Sequence, residues 1–195
     1  MTAISPLDSI HKKGIFGDHQ KKIESNLLKI SEVKNLSIIQ LVCYKKKKIE
    51  LKDLKIDDLN LPLESSKVIS NEKTRILWNG PNVWLIVSEK ENIISIVKKN
   101  CKEKDFAVTD ISHSRAVIKI KGLEAKEVLK KGCPLDINEI KKNNCAGSIF
   151  HGINIIIDCV EENPDSICVF TLRSFAESLY HHITDSALEF GFVCV

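Results

Sequence analysis

The sequence of 195 residues predicts an α+β fold with two small sheet-plus-helix lobes and largely antiparallel sheets. From Val108 onward, apolar runs and turn residues give the order strand, strand, helix, strand, strand, strand, helix. The first half repeats the theme, because strand pairs are followed there by a helix near Glu91. This order is typical of helices that pack on one face of an antiparallel sheet.

The boundary between the lobes is expected near residue 104. Residues 1–104 are predicted to form an N-terminal lobe with an extended arm, and residues 105–195 a ferredoxin-like lobe, with the two lobes intertwined. The chain length suits two small domains packed together. A chain of this size buries about 70% of the surface that its unfolded form exposes, so its core needs no disulfide or metal staple.

Strong strand signals mark the first half of the chain. Leu36 to Tyr44 is one apolar run, and two further strands flank the turn Asn79–Asn82. The tryptophans beside that turn, Trp78 and Trp84, are interpreted either as core aromatics or as rings that stack on a ligand. The segment Ser88–Glu91 has the spacing of a capping box, which predicts the start of a helix.

The second half is organised around the stretch Asp105–Ile137. It holds two strands, a turn at Gly122 and a short helix. Gly132 stands where a left-handed residue would close that helix, and Pro134 would prevent its extension. Further on, Ser174–Glu177 has the spacing of a second capping box, which predicts the start of the last helix.

Charge and composition exclude several classes of function. The net charge is +3, from 29 basic and 26 acidic residues, which is too balanced to indicate nucleic-acid binding. Lys45–Lys48 is interpreted as a solvated hairpin loop, with an anion-binding patch as the alternative. No apolar run approaches the ~20 residues of a membrane span, and the N-terminus lacks the apolar segment of a signal peptide. We therefore expect a cytoplasmic protein.

The cysteines and histidines do not predict a metal site. The chain has seven cysteines, an odd number that cannot pair completely, and none shows C-x-x-C spacing. We therefore expect reduced thiols that behave as small apolar residues. His181 and His182 are adjacent in the predicted last helix, where neighbouring side chains point ~100° apart and cannot chelate one ion together.

The most concentrated polar segment is Asp110–Arg115, which lies between two predicted strands. The residues of interest are Asp110, Ser112, His113 and Arg115. They form either an internal hydrogen-bond network that fixes the turn, or a ligand or subunit contact in which Arg115 offers a fork to a carboxylate. Arg173, just before the last helix, has the same two interpretations. Arginine is informative here because the chain otherwise uses lysine for almost all of its positive charge.

Catalytic motifs are missing from the sequence. It contains no P-loop, no G-x-G-x-x-G and no H-E-x-x-H. Ser112 and His113 are too close in the chain to form a nucleophile and base with a third orienting group. The sequence thus predicts no catalytic residue, no metal ligand and no cofactor bound by this chain.

Three blocks of the sequence together resemble one family. They are ILWNGPNVWLIV from Ile76, the Asp110–Asp136 stretch with S-H-S-R and G-C-P-L-D, and RSFAESLYHHITDSALEFG from Arg173. In combination they are similar to the gamma subunit of heterotetrameric sarcosine oxidase, over roughly residues 75–191.

This resemblance implies a fold and a role. The family shares its α+β fold with the folate-binding part of the glycine-cleavage aminomethyltransferases. The assembled oxidase demethylates sarcosine to glycine and passes the one-carbon unit to tetrahydrofolate. FAD, FMN, NAD, the folate and a zinc ion then belong to other subunits. The gamma subunit is implied to be non-catalytic and to have the alpha, beta and delta subunits as partners, chiefly alpha.

The sequence departs from the folate enzymes at one segment. Aminomethyltransferases carry Gly-Gly followed shortly by a carboxylate that acts near the folate nitrogen. The comparable segment here, His151–Asp158, has one glycine, and Asp158 is interpreted as a solvated acid at a strand end, with a catalytic acid as the alternative. The alternative function is a free-standing folate-binding, aminomethyltransferase-like protein that self-associates, with a site around His113 and Arg115.

Overall fold

The computed structural model describes residues 5–20, 22–44 and 50–195, so the predicted loop Lys45–Lys48 lies outside the described residues. The strands are β1 Gly14–Phe16, β2 Leu28–Glu32, β3 Ser37–Cys43, β4 Lys55–Ile56, β5 Leu59–Asn60, β6 Val68–Ser70, β7 Thr74–Gly80, β8 Val83–Ser88, β9 Phe106–Asp110, β10 Arg115–Gly122, β11 Cys145–Phe150, β12 Ile153–Glu161, β13 Asp165–Leu172 and β14 Phe192–Cys194. The α-helices are α1 Ile93–Asn100, α2 Ala125–Lys130 and α3 Ala176–Ala187. Single turns of 3₁₀ helix lie at Glu24–Asn26, Leu51–Asp53, Ser112–Ser114, Ile137–Glu139, Arg173–Phe175 and Leu188–Phe190.

The chain divides into two compact units, each built from separated segments. Unit 1 comprises Met1–Lys34, Ser114–Lys142 and Ala146–Val195, and unit 2 comprises Asn35–His113 and Asn143–Cys145. This division differs from the predicted one at residue 104, because the N-terminal arm belongs to the same unit as the C-terminal half.

The sheet of unit 1 explains that difference. Among the described residues its strand order is β1-β14-β2-β10-β13-β12-β11. Strand β2 pairs antiparallel with β10, where Ile30 faces Ile120, and parallel with β14, where Ile30 faces Cys194. The N-terminal arm therefore supplies a strand to the middle of the sheet, which joins two elements that are far apart in the sequence.

Helices α2 and α3 cover one face of this sheet and pack on β10 and β13. Alternate residues of β12 face the resulting core: Ile153, Ile155, Ile157 and Cys159. Full burial of an aliphatic side chain of this size stabilises the fold by about 1.5–3 kcal/mol. The core is therefore formed by the period-two pattern of a strand that has helices on one face only.

Unit 2 contains a second antiparallel sheet with the strand order β6-β7-β8-β3-β9, together with the short β4-β5 pair. Helix α1 packs on β3 and β9 and places Ile93 and Val97, one turn apart, in the core. The α+β class with largely antiparallel sheets is thus confirmed. The turn predicted at Asn79–Asn82 lies between β7 and β8. Two of its residues, Gly80 and Asn82, take positive φ angles of 148° and 61°.

The tryptophans beside that turn differ in burial. Trp84 is 1% exposed, lies in the core of unit 2 and donates its indole N–H to the Pro62 carbonyl oxygen at 2.7 Å. Its cross-strand partner Trp78 is half-buried. A ring that is enclosed and already bonded, as in Trp84, cannot stack on a ligand from solvent, so Trp84 is a core aromatic.

Three details of the helices differ from the sequence-based expectations. Helix α1 begins at Ile93, where no side chain caps it, and the Ser88 Oγ instead accepts from the Lys90 N–H at 3.1 Å. Helix α3 likewise has no side-chain cap, so both predicted capping boxes are wrong. Gly132 is not among the residues with positive φ, so the predicted left-handed cap is wrong as well.

Among the described residues, none of the helices has the length and apolar composition to span a bilayer.

Candidate functional site

The polar segment between β9 and β10 begins with a tight turn closed by Asp110. Its Oδ1 accepts from the Ser112 backbone N–H at 2.9 Å and from the Ser112 Oγ at 2.6 Å. These two hydrogen bonds, with a smaller contribution from the nearby His113, hold the pKa of Asp110 below its ordinary value despite some desolvation. Asp110 therefore remains ionised at neutral pH and acts as the acceptor that shapes the turn.

The Ser112 hydroxyl also reaches a second strand. Its Oγ accepts from the Ile38 backbone N–H at 2.8 Å, and lies 3.4 Å from the Ile38 carbonyl oxygen. The Asp110 and Ser112 side chains are thus engaged in the turn itself, which favours the structural interpretation for these two residues. His113, in the same 3₁₀ turn, is exposed.

Arg115 is in a different situation. Its side chain is half-buried, and burial lowers the pKa of its guanidinium below the ordinary value. Within the described part of the chain, no hydrogen bond or ion pair engages this guanidinium, and its Nε is buried without an acceptor. An unpaired buried donor is rare in folded proteins and calls for an explanation.

A pocket of about 290 Å³ opens beside Arg115. It is formed by β10, β12 and β13, and its lining includes Asn154, Phe170 and Leu172. In the β10–β13 register, Leu172 is the direct partner of Arg115. Arg173 is the next residue and starts the 3₁₀ turn before α3, where it is half-buried.

Asp158 does not lie where the sequence predicted. It occupies the interior of β12, faces Cys168 of β13 and is 1% exposed. The expectation of a solvated acid at a strand end is therefore wrong. The continuation of the strand to Glu161 explains the error, because the chain passes Asp158 before it leaves the sheet.

The histidines of the last helix are separated as predicted. His182 stacks on His151, with ring centroids 4.8 Å apart and planes 25° apart, whereas His181 lies 3.9 Å from the Glu177 carboxylate. Parallel stacked imidazoles direct their nitrogen lone pairs in their own planes and not toward a shared point. No group of three His, Cys, Asp or Glu side chains in the described segments is arranged to hold a metal ion. None of the seven cysteines, all of which lie in the described segments, forms a disulfide, and all except Cys168 are buried.

Sequence reasoning did not single out one further feature, an open groove of about 530 Å³ in unit 2 lined by Asp53, Asp57 and Asp58 among others. Asp57 accepts hydrogen bonds from Thr74 and Lys90 and ties the β4–β5 pair to the main sheet of the unit. The D-D pair at a turn between two short strands was the available signal, but it indicates a tight turn, in which both residues indeed take positive φ.

The profile of the sarcosine oxidase gamma subunit family matches residues 54–189 of the chain. The chain belongs to this family. The resemblance drawn from the three sequence blocks is thereby confirmed, and the matched range contains Asp110, Arg115, Asp158 and Arg173.

Two curated sarcosine oxidase gamma subunits are similar to this family member. The protein from Corynebacterium sp. (strain U-96) is 27% identical over 121 residues, which cover 60% of this chain and 58% of the relative. The protein from Corynebacterium sp. (strain P-1) is 26% identical over 132 residues, which cover 63% and 61% of the two chains. The matched segments thus span less than two thirds of these curated relatives.

Solved structures show the same fold for this gamma subunit family member. A chain of the heterotetrameric sarcosine oxidase from Corynebacterium sp. U-96, in complex with pyrrole 2-carboxylate, superposes with a TM-score of 0.80 at 21% identity, over 96% of this chain and 95% of that one. The glycine cleavage system aminomethyltransferase T from Bartonella henselae gives 0.66 at 15% identity, over 95% and 58%. The aminomethyltransferase-like fold is therefore confirmed.

Proposed function

We propose that this chain is a non-catalytic subunit of a heterotetrameric, sarcosine-oxidase-like enzyme. Membership of the gamma subunit family carries the proposal. The fold likeness to a chain of heterotetrameric sarcosine oxidase supports it, because it extends over nearly the whole of both chains. The assembly demethylates sarcosine oxidatively to glycine and passes the one-carbon unit to tetrahydrofolate.

In this proposal the chemistry belongs to other subunits. FAD, FMN, NAD, tetrahydrofolate and zinc are held by the alpha, beta and delta subunits, and this chain packs chiefly on alpha. This chain contributes surface for binding to the other subunits, and no catalytic group. The candidate contact residues are Arg115 and Arg173, since Asp110 and Ser112 are occupied in the turn.

The surroundings of the acidic side chains support a role without catalysis. A general base must come within hydrogen-bond distance of the proton that it removes. Asp158, the acid nearest in sequence to the position used by aminomethyltransferases, is 1% exposed inside a strand. Asp110 has a lowered pKa and accepts from Ser112, which makes it a poor proton acceptor near neutral pH.

Affinity purification tests this proposal. The tagged chain, expressed in its native cell, is expected to bring down a flavoprotein, seen by its flavin absorbance and identified by mass spectrometry as a sarcosine oxidase subunit. Sarcosine-dependent reduction of that flavin would follow in the captured assembly. A chain that elutes alone, or with proteins unrelated to sarcosine oxidase, would contradict the proposal.

The fold likeness to aminomethyltransferase T supports a second candidate, a free-standing folate binder. Calorimetric titration with tetrahydrofolate separates the two candidates. A subunit without its own folate site gives no heat and no thermal shift at millimolar ligand. Saturable binding to the isolated chain would favour the folate binder instead.

A further inference from the structure

The guanidinium of Arg115 belongs to a candidate contact residue for which the proposed function names no partner group. Its Nε is buried without an acceptor, and no carboxylate of the described residues pairs with it. The charged form of a half-buried arginine is disfavoured unless a hydrogen-bonded anion is supplied. Since arginine stays protonated at neutral pH, the missing partner must come from outside the described chain.

The pocket beside Arg115 has room for one side chain. Its volume is about 290 Å³, and β10, β12 and β13 form its walls. Phe170 supplies an apolar wall, whereas the Thr171 hydroxyl is already bonded to the Asn154 carbonyl oxygen at 3.1 Å. The guanidinium is therefore the one charged group in the pocket lining, and the exposed Asn154 side-chain amide is the other polar group beside it.

One exposed apolar side chain lines the pocket, and another lies in the 3₁₀ turn that follows β13. Leu172, which faces Arg115 in the register, is 40% exposed, and Phe175, three residues further, is 46% exposed. Arginine and aromatic residues are enriched among the side chains that contribute most to protein–protein binding. An isolated pocket for a small carboxylic acid would not require apolar side chains in water around it.

We infer that Arg115, Leu172 and Phe175 form a docking surface for a partner subunit, and that a partner Asp or Glu carboxylate enters the pocket and pairs with the Arg115 guanidinium. The inference rests on the proposed function, because it needs an assembly in which this chain is one subunit. Nε is closed to solvent and keeps no acceptor of its own, so the carboxylate meets the two Nη nitrogens and neutralises the half-buried charge, with Leu172 and Phe175 packing around the pair. Apolar packing excludes water and strengthens the ion pair.

Substitution at Arg115 tests the inference in the purified assembly. We expect R115Q to weaken binding of this chain to its flavoprotein partner at least about 30-fold, as for other buried charge pairs. R115K is expected to give an intermediate loss, because an ammonium supplies charge without the planar fork. K104Q removes one positive charge from an exposed position and is expected to bind as the wild type does.

Thermal stability separates docking from a structural role. The isolated R115Q chain is expected to melt at or above the wild-type temperature, because the substitution removes a buried donor that has no acceptor. A photo-reactive amino acid in place of Leu172 should cross-link to a partner peptide that contains Asp or Glu. Reversal of charge, with R115E here and Lys at that partner acid, should restore binding.

Three possible outcomes distinguish failure of the proposed function from failure of the inference. Failure of the wild-type chain to capture any sarcosine oxidase subunit would overturn the proposed function, and the inference with it. Capture by the wild type and equally by R115Q would overturn the inference alone. A thermal shift of the isolated wild type, but not of R115Q, with millimolar sarcosine or acetate would show a small-carboxylate site and would also overturn it.

Discussion

The Ser112 hydroxyl joins two parts of unit 2 that are 74 residues apart in the sequence. It accepts from the Ile38 N–H while it donates to Asp110, so one side chain connects the end of β9 to the start of β3. Ile38 is 2% exposed, and its N–H would find no water in place of the hydroxyl. The turn is therefore held by a short chain of hydrogen bonds in which each member depends on the next.

We expect the substitution S112A to lower the free energy of unfolding by about 1–3 kcal/mol, since it leaves a buried N–H without an acceptor. Ser65 is exposed, and S65A serves as the control that changes the same atoms in water. Urea unfolding followed by circular dichroism measures both. Equal stability of S112A and the wild type would show that the Ile38 N–H has another acceptor.

The lowered pKa of Asp110 predicts a dependence of stability on pH. Hydrogen bonds from Ser112 favour the ionised carboxylate in the folded chain, so the folded pKa lies below the unfolded value near 4. The resulting stabilisation is fully present above the unfolded pKa and is lost as the pH falls through the folded one. The stability difference between wild type and D110N should therefore be constant above about pH 5 and shrink below about pH 4. A difference that does not change between pH 2.5 and 7 would contradict this account.

The sequence could predict part of this arrangement. The concentration of polar residues between two predicted strands already indicated an internal hydrogen-bond network at the turn as one of two interpretations. Its third member could not be predicted, because Ile38 contributes only a backbone group, and backbone groups carry no sequence signal. The burial of Asp158 was missed for a different reason, because an acidic residue after an apolar run is typical of a strand end.

Gly132 has a role that a helix-end pattern does not reveal. The residue follows α2, and its carbonyl oxygen accepts from the His151 N–H at 3.0 Å, so the turn after the helix is joined to the turn between β11 and β12. A Cβ at Gly132 would lie 2.4 Å from the His151 ring and 2.9 Å from Phe150, which is fully buried. The glycine is thus needed for a close approach between two connections, and not for a left-handed backbone.

We expect G132A to lower the free energy of unfolding by about 1–3 kcal/mol, because the added methyl group overpacks the site against Phe150. Gly147 in β11 is the matched control: no atom outside its chain neighbours lies within 4 Å of a Cβ placed there. G147A should be neutral, or should stabilise slightly by restricting the unfolded chain. Differential scanning calorimetry of both variants tests the contrast, and a neutral G132A would mean that His151 and Phe150 move aside at little cost.

Helices and strands differed in how well local patterns predicted them. The apolar periods placed α1, α2 and α3 and most strands, since burial on one face imposes those periods wherever the face is covered. The capping signal at Ser88 failed because its hydroxyl is bonded to two other groups, the Lys90 N–H and the Thr74 hydroxyl. A serine can cap a helix only when no nearer partner takes its oxygen.

The arrangement of strands in unit 1 depends on pairings between the two ends of the chain. Strand β2 lies between β14 and β10, and β14 has its neighbours, β1 and β2, in the first 34 residues. Local patterns did not predict β1, β2 or β14 as strands, and such patterns carry no information about a partner more than 150 residues away. The boundary predicted near residue 104 followed chain continuity, whereas the sheet is assembled from discontinuous segments.

This topology predicts that the fragment 105–195 does not fold by itself. Without residues 1–34 the sheet loses β1 and β2, and the core loses Leu7, Leu28 and Ile30, each fully buried. At about 1.5–3 kcal/mol for each side chain, this loss of roughly 5–9 kcal/mol is comparable with the whole stability of a domain, about 5–15 kcal/mol. A synthetic peptide of residues 1–34 should restore cooperative thermal unfolding to the fragment, and the same peptide with I30D should not. A cooperative transition of the fragment alone, near that of the full chain, would show that residues 105–195 fold without residues 1–34 and would contradict this prediction.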